Sequence, residues 1–133
     1  MIAIDSNVLL RLALRDDTAQ FAAAERALAT AARRGQQLFI SDVVLCELVW
    51  VVRGSHKFRR TQIAAVLHEL VDTDLFRLSD ETVVRRAIDR FERGRGDFAD
   101  YLIAEQSLAA GATEVLTFDR ALKREPGFRL LGG

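Results

Sequence analysis

Four carboxylates stand where chemistry could use them: Asp5 at the end of MIAI, Glu47 inside VVLCELVWVV, Asp100 in GDFADYLI, and Asp119 directly after VLTF. Carboxylates gathered without a counter-charge repel one another, so such a group requires a divalent cation. Oxygen-only ligands select hard ions, Mg2+ or Mn2+. GDFADYLI also holds Asp97, three residues before Asp100. Asp97 has the position of an N-cap, and Asp100 that of the third helical residue, where the helix dipole tolerates an acid. Capping accounts for one of the pair. Residues three apart share a helix face, so Asp97 could also serve a metal, directly or through a bound water.

Glu47 has Val43 and Val44 on one side and Trp50 and Val51 on the other, which predicts a largely apolar surrounding. An unpartnered carboxylate there would cost several kcal/mol. A salt bridge to Arg11 or Arg53, or a more exposed helix face, would serve as a structural alternative. Other chemistries find little support. His56 and His68 lack a second ligand at zinc spacing, Cys46 in its apolar run reads as a small core residue, and GRG at Gly94 lacks the lysine and hydroxyl of a phosphate loop.

The elements that must position the acids follow from the apolar patterning. MIAI, Gln37 to Ser41 and Glu114 to Phe118 read as buried strands, with Leu75 to Ser79 and Phe128 to Leu131 as further strand candidates. Helical periodicity covers Thr18 to Arg34, Val43 to Val52, Thr61 to Val71, Glu81 to Arg93 and Phe98 to Ala110. This alternation predicts an α/β fold, a parallel sheet with helices on both faces, in a single domain over residues 1–133. Ligands of open α/β sheets bind beyond the carboxyl ends of the strands, and Asp5 and Asp119 both follow strands there.

A chain of 133 residues, 50% hydrophobic, can bury one core. The lone Cys46 excludes an internal disulfide, and no signal-like series opens the chain, so a reducing cytoplasm is expected. The longest apolar run is about half of what a membrane span needs and carries Glu47. Nineteen basic and nineteen acidic residues cancel, which argues against coating nucleic acid by bulk charge. RGSHKFRR (Arg53 to Arg60) and RRAIDRFERGR (Arg85 to Arg95) are locally basic; each is either solvated surface or a contact for a polyanion. The alanine-rich Phe21 to Ala32 and the helix bearing Trp50 offer more apolar face than one small sheet needs, so a homodimer and a groove for an amphipathic partner helix are expected.

AIDSNVLLRLALRDD, ISDVVLCELVWVVR, GDFADYLIAEQSLAAGA and VLTFDRALKR together resemble the successive motifs of PIN-domain ribonucleases, in particular the VapC toxins of bacterial toxin–antitoxin modules. The resemblance spans nearly the whole chain. It implies an α/β/α sandwich and hydrolysis of RNA phosphodiester bonds with one or two Mg2+ ions, for which Mn2+ could substitute. It further implies Asp5 and Asp100 as principal metal ligands, Asp119 as a further ligand or one acting through water, and Glu47 as the group that positions or deprotonates the attacking water. Asn7 and Thr117 match positions that orient the acids, and Arg11, Arg15 and Arg53 are candidates to hold the ribose-phosphate chain. A VapB-like antitoxin is the implied protein partner. Asp42 stands where many relatives carry proline, and either residue starts a helix well.

Two rivals belong to other classes. A dehalogenase-like phosphatase needs a second aspartate two residues after the first, where DSNV has Asn7, and a receiver domain needs a lysine after a late strand, where TFDR offers Asp119. A non-catalytic module whose acidic pocket captures a basic partner segment is compatible with the same residues. Metal-dependent turnover distinguishes it from an enzyme.

Overall fold

The computed structural model describes residues 1–132. Its first unit, Met1–Ser79, holds three short parallel strands in the order β1 (Ile2–Ala3), β2 (Leu38–Ile40), β3 (Phe76–Leu78). Ile2 pairs with Leu38, and Leu38 with Phe76. Between β1 and β2 run α1 (Ser6–Leu14) and α2 (Thr18–Arg33), and between β2 and β3 run α3 (Asp42–Gly54) and α4 (Arg60–Asp72).

Three of the four helices begin at a residue whose side chain caps them. Asp5 caps α1, Asp17 accepts from the Gln20 N–H at the start of α2 at 3.0 Å, and Ser41 accepts from the Val44 N–H at the start of α3 at 3.3 Å. α1 ends on Arg15 in the left-handed region, φ 54°, its N–H bonded to Arg11 O at 3.1 Å. This is a helix stop usually made by glycine. The core of the unit is apolar and drawn from every helix: Leu9 and Leu10 of α1, Ala24 and Ala31 of α2, Leu45, Leu48 and Val52 of α3, and Ile63, Ala64 and Leu67 of α4. α2 is rich in alanine because only its narrow Ala24–Ala31 line is buried.

The second unit begins at Asp80 and contains α5 (Glu81–Arg93), α6 (Phe98–Ala109) and the parallel pair β4 (Val115–Thr117) and β5 (Phe128–Leu130), joined through a 3-10 turn at Arg120–Leu122. Val83, Val84, Ala87, Ile88 and Phe91 form the buried stripe of α5 at helical spacing. Phe91 meets Phe98 of α6 edge to face, with ring centroids 6.2 Å apart and planes at 89°. Glu105 is the buried acid of α6, and the Arg90 guanidinium meets it at 3.0 Å. The same guanidinium stacks over the rings of Tyr101 and Phe128 and donates to the Pro126 carbonyl. One cation thus ties α5 to α6 and to β5.

All five expected strands are present and every pairing is parallel, as the apolar runs predict, but they divide three and two between the units. The helix α1 is additional to the expected set. Among the described residues no helix is long and apolar enough to cross a membrane.

Candidate active site

Asp5 lies two residues beyond β1, exposed, with Oδ1 accepting from the N–H groups of Asn7 at 3.0 Å and Val8 at 3.3 Å. The carboxylate is therefore held by the start of α1, and Oδ2 takes no hydrogen bond among the described residues. Asn7 orients Asp5 through its backbone.

Asp119 is held in the same way, two residues beyond β4. Its N–H donates to Thr117 Oγ1 at 3.0 Å, and its Oδ1 accepts from the Ala121 N–H at 2.9 Å at the start of the 3-10 turn. The hydroxyl of Thr117 thus fixes the backbone that carries the acid. Asp119 is exposed, and its Oδ2 is likewise without a hydrogen bond among the described residues.

Asp97 and Asp100 form a reciprocal cap. Asp97 Oδ1 accepts from the Phe98 N–H at 2.8 Å, and Asp100 Oδ2 accepts from the Asp97 N–H at 2.8 Å. Capping therefore accounts for both acids, where the sequence explained only the first. The loop before them is shaped by Tyr101, whose hydroxyl accepts from the buried Gly96 N–H at 2.9 Å. A Cβ on Gly94 would overlap that hydroxyl, and one on Gly96 would come within 2.6 Å of the Leu122 side chain. The glycines of GRG make room for a tyrosine that locks the start of α6. Burial pushes the Tyr101 phenol above its ordinary pKa, and the neighbouring Glu125 adds to the rise.

Glu47 differs from the expectation. The buried side of α3 is Val44, Leu45, Leu48, Val49 and Val52, and Glu47 lies on the opposite side with Val43, 68% exposed, and Trp50, 49% exposed. It is itself exposed and makes no hydrogen bond or ion pair among the described residues. Apolar neighbours in sequence misled here because α3 carries apolar residues on its solvent side as well.

The candidate cations also have definite places. Arg11 is paired with Asp16 at 2.8 Å, Arg15 stacks over Phe21 at 5.1 Å, and Arg53 is exposed near the end of α3. Cys46 is half-buried. Sequence reasoning did not single out Tyr101, Arg90 or Glu105, which shape the unit that carries Asp97, Asp100 and Asp119.

Asp5 and Asp119, exposed and each steadied through one oxygen with the other without a hydrogen bond among the described residues, offer the hard oxygen donors that suit a divalent cation. Residues 2–126 match the PIN domain family, and the chain belongs to that family. PIN nucleases generally use a divalent metal ion. A VapC ribonuclease from Aquifex aeolicus (strain VF5) is 27% identical over 124 residues, which is 93% of this chain and 91% of that protein. No solved structure gives a significant match.

Proposed function

We infer that this protein is a metal-dependent endoribonuclease, the toxin of a toxin–antitoxin pair that blocks translation by cutting RNA. What carries the reading is the family match over residues 2–126, which runs through all four of the acids that the sequence singles out. The match covers nearly all of the first unit and extends through most of the second, which supports residues 1–133 as one nuclease domain.

Asp5 and Asp100 are the principal ligands of a Mg2+ ion, for which Mn2+ can substitute, and Asp119 is a further ligand, directly or through water. The bound ion supplies Lewis acidity and a more acidic water. Glu47, exposed and unpaired, takes a proton from the water whose oxygen forms the new bond to phosphorus, while the leaving oxygen departs and is protonated from solvent. Asn7 and Thr117 hold Asp5 and Asp119 in place through the hydrogen bonds at the two strand ends. Asp97 keeps α6 capped and supports Asp100 from one turn away. Arg15 and Arg53 assist in holding the ribose-phosphate chain; Arg11 does so only if it leaves Asp16.

The protein partner is a VapB-like antitoxin. Support comes from a cleft of about 270 Å3 in the first unit, where Leu12, Phe21, Leu28 and Leu70 offer an apolar floor and Glu25 and Glu69 outnumber Arg15 among the charged lining residues. An amphipathic helix with basic edges fits such a cleft. A homodimer and a cytoplasmic location complete the reading.

Expression with and without the neighbouring open reading frame, followed by sequencing of RNA 5′ ends, tests the function. New 5′ ends at defined sites in the toxin-only culture are expected. Identical RNA ends in both cultures and in an empty-vector control would refute the reading.

A further inference from the structure

The segment from Leu48 to His68 contains Arg53, Lys57, Arg59, Arg60 and both histidines of the chain, and no acid. It does so in a protein whose basic and acidic residues are equal in number over the whole chain. Its centre is the loop between α3 and α4, and that loop has a fixed shape. Phe58, half-buried, donates its N–H to Val52 O at 2.9 Å, and the Arg59 N–H donates to Gln62 Oε1 at 2.8 Å. Lys57 turns the chain through the left-handed region at φ 54°. His56, Lys57 and Arg59 are left exposed, and none is in an ion pair among the described residues. Arg11, Arg85 and Arg129 are matched to Asp16, Glu81 and Glu114; what sets this segment apart is that its cations stand close together in sequence with no acid among them.

The loop follows directly on the last turn of α3. Glu47 and Trp50, three apart, share the solvent side of that helix, which advances about 10 Å between Glu47 and its end at Gly54. We propose that this face and loop form a binding track for single-stranded RNA, with Trp50 as the platform for an unpaired base and His56, Lys57 and Arg59 as contacts to phosphates. The proposal rests on the ribonuclease reading for the identity of the polyanion. Proteins that hold single strands combine cations along the backbone with an aromatic ring on which a base stacks. A duplex keeps its base faces covered, so Trp50 favours an unpaired strand. The apolar part of the face is interrupted by Glu47 and borders cations, which suits a polyanion carrying flat bases better than an apolar helix.

Binding is measured without turnover, using the Asp5→Asn protein in EDTA and a short single-stranded RNA. Trp50 is the chain's only tryptophan, so its fluorescence reports stacking directly and should be quenched as RNA binds. Trp50→Ala should weaken binding, read by anisotropy of labelled RNA, by about 5- to 150-fold. In Lys57→Asn/Arg59→Gln the asparagine still accepts the left-handed turn, and the slope of log K against log salt should become shallower by about 1.4. Unquenched Trp50 at saturation, or unchanged affinity and salt slope in both variants, overturns the track. So does a Trp50→Ala protein that keeps its RNA affinity but no longer dimerises or binds the adjacent gene product. A wild type that binds RNA in this way and never cuts it would instead count against the ribonuclease reading alone.

Discussion

The Gly96 N–H donates to the Tyr101 hydroxyl at 2.9 Å, inside the turn that leads to Asp97 and Asp100. A buried phenol five residues downstream sets the entry of a helix, and the space it occupies rules out a side chain at Gly94, where a Cβ would lie 2.7 Å from Tyr101 Cζ. Gly94→Ala should therefore lower stability by about 1–3 kcal/mol through overpacking. Tyr101→Phe, which keeps the ring and loses the acceptor, should cost about 1 kcal/mol. Urea melts of the two variants check both values, and a Gly94→Ala protein as stable as wild type would mean that the tyrosine moves freely.

The same phenol predicts an alkaline limit. Its folded pKa lies above the ordinary value of 10.0 because burial opposes the phenolate. The sign follows from proton binding: above pH 10 the unfolded chain loses this proton before the folded one does. The contribution of Tyr101 is complete below about pH 10 and is lost as pH rises towards the folded pKa. Melts between pH 8 and 11 should show a decline that Tyr101→Phe makes shallower.

Asp5 serves as a cap whatever else it does, and asparagine caps about as well. Asp5→Asn should therefore melt within a few tenths of a kcal/mol of wild type while losing turnover, and Asp5→Ala should lose about 1 kcal/mol as well. A large loss of stability in Asp5→Asn would make the residue structural.

Asp97 and Asp100 separate by the same logic. Asp97→Asn keeps an acceptor for the Phe98 N–H, so a cap-only residue leaves activity unchanged. A service to the metal through water would show as a raised Mg2+ requirement. Asp100→Asn still has an oxygen for the Asp97 N–H and should fold yet be inactive. Activity across a Mg2+ titration decides between them, and full activity in Asp100→Asn with loss in Asp97→Asn would reverse the assignment.

Arg90 and Glu105 are largely withdrawn from water, with side chains 21% and 9% exposed. Removing one partner of such a pair leaves a charge stranded, so Glu105→Ala should cost about 3–5 kcal/mol. A thermal melt close to wild type would show that the stacking of Arg90 on Tyr101 and Phe128 suffices without the acid.

How much of this was legible beforehand depends on the kind of contact. The strands were legible because short apolar runs ending in polar residues have few other uses, and every one of them pairs in parallel. α1 was not marked, since Ser6–Leu14 follows β1 with no glycine or proline between them and Asp5 is its sole punctuation. Asp5 followed three residues later by Val8, Leu9 and Leu10 was the available sign of a helix start. The exposure of Glu47 was beyond periodicity, because α3 is apolar almost all round and only packing decides which side is covered. The Gly96–Tyr101 and Arg90–Glu105 contacts depend on loop shape and on the meeting of two helices, which no local spacing encodes.

The central claim is metal-dependent RNA hydrolysis by these acids, and the most direct measurement is cleavage of end-labelled RNA by purified wild-type, Asp5→Asn and Asp100→Asn proteins, each in Mg2+ and in EDTA. Cleavage by the wild type in Mg2+ alone, with both variants folded and inactive, is the predicted result. Protein-dependent cleavage that persists in EDTA, or that survives in both variants, would contradict it.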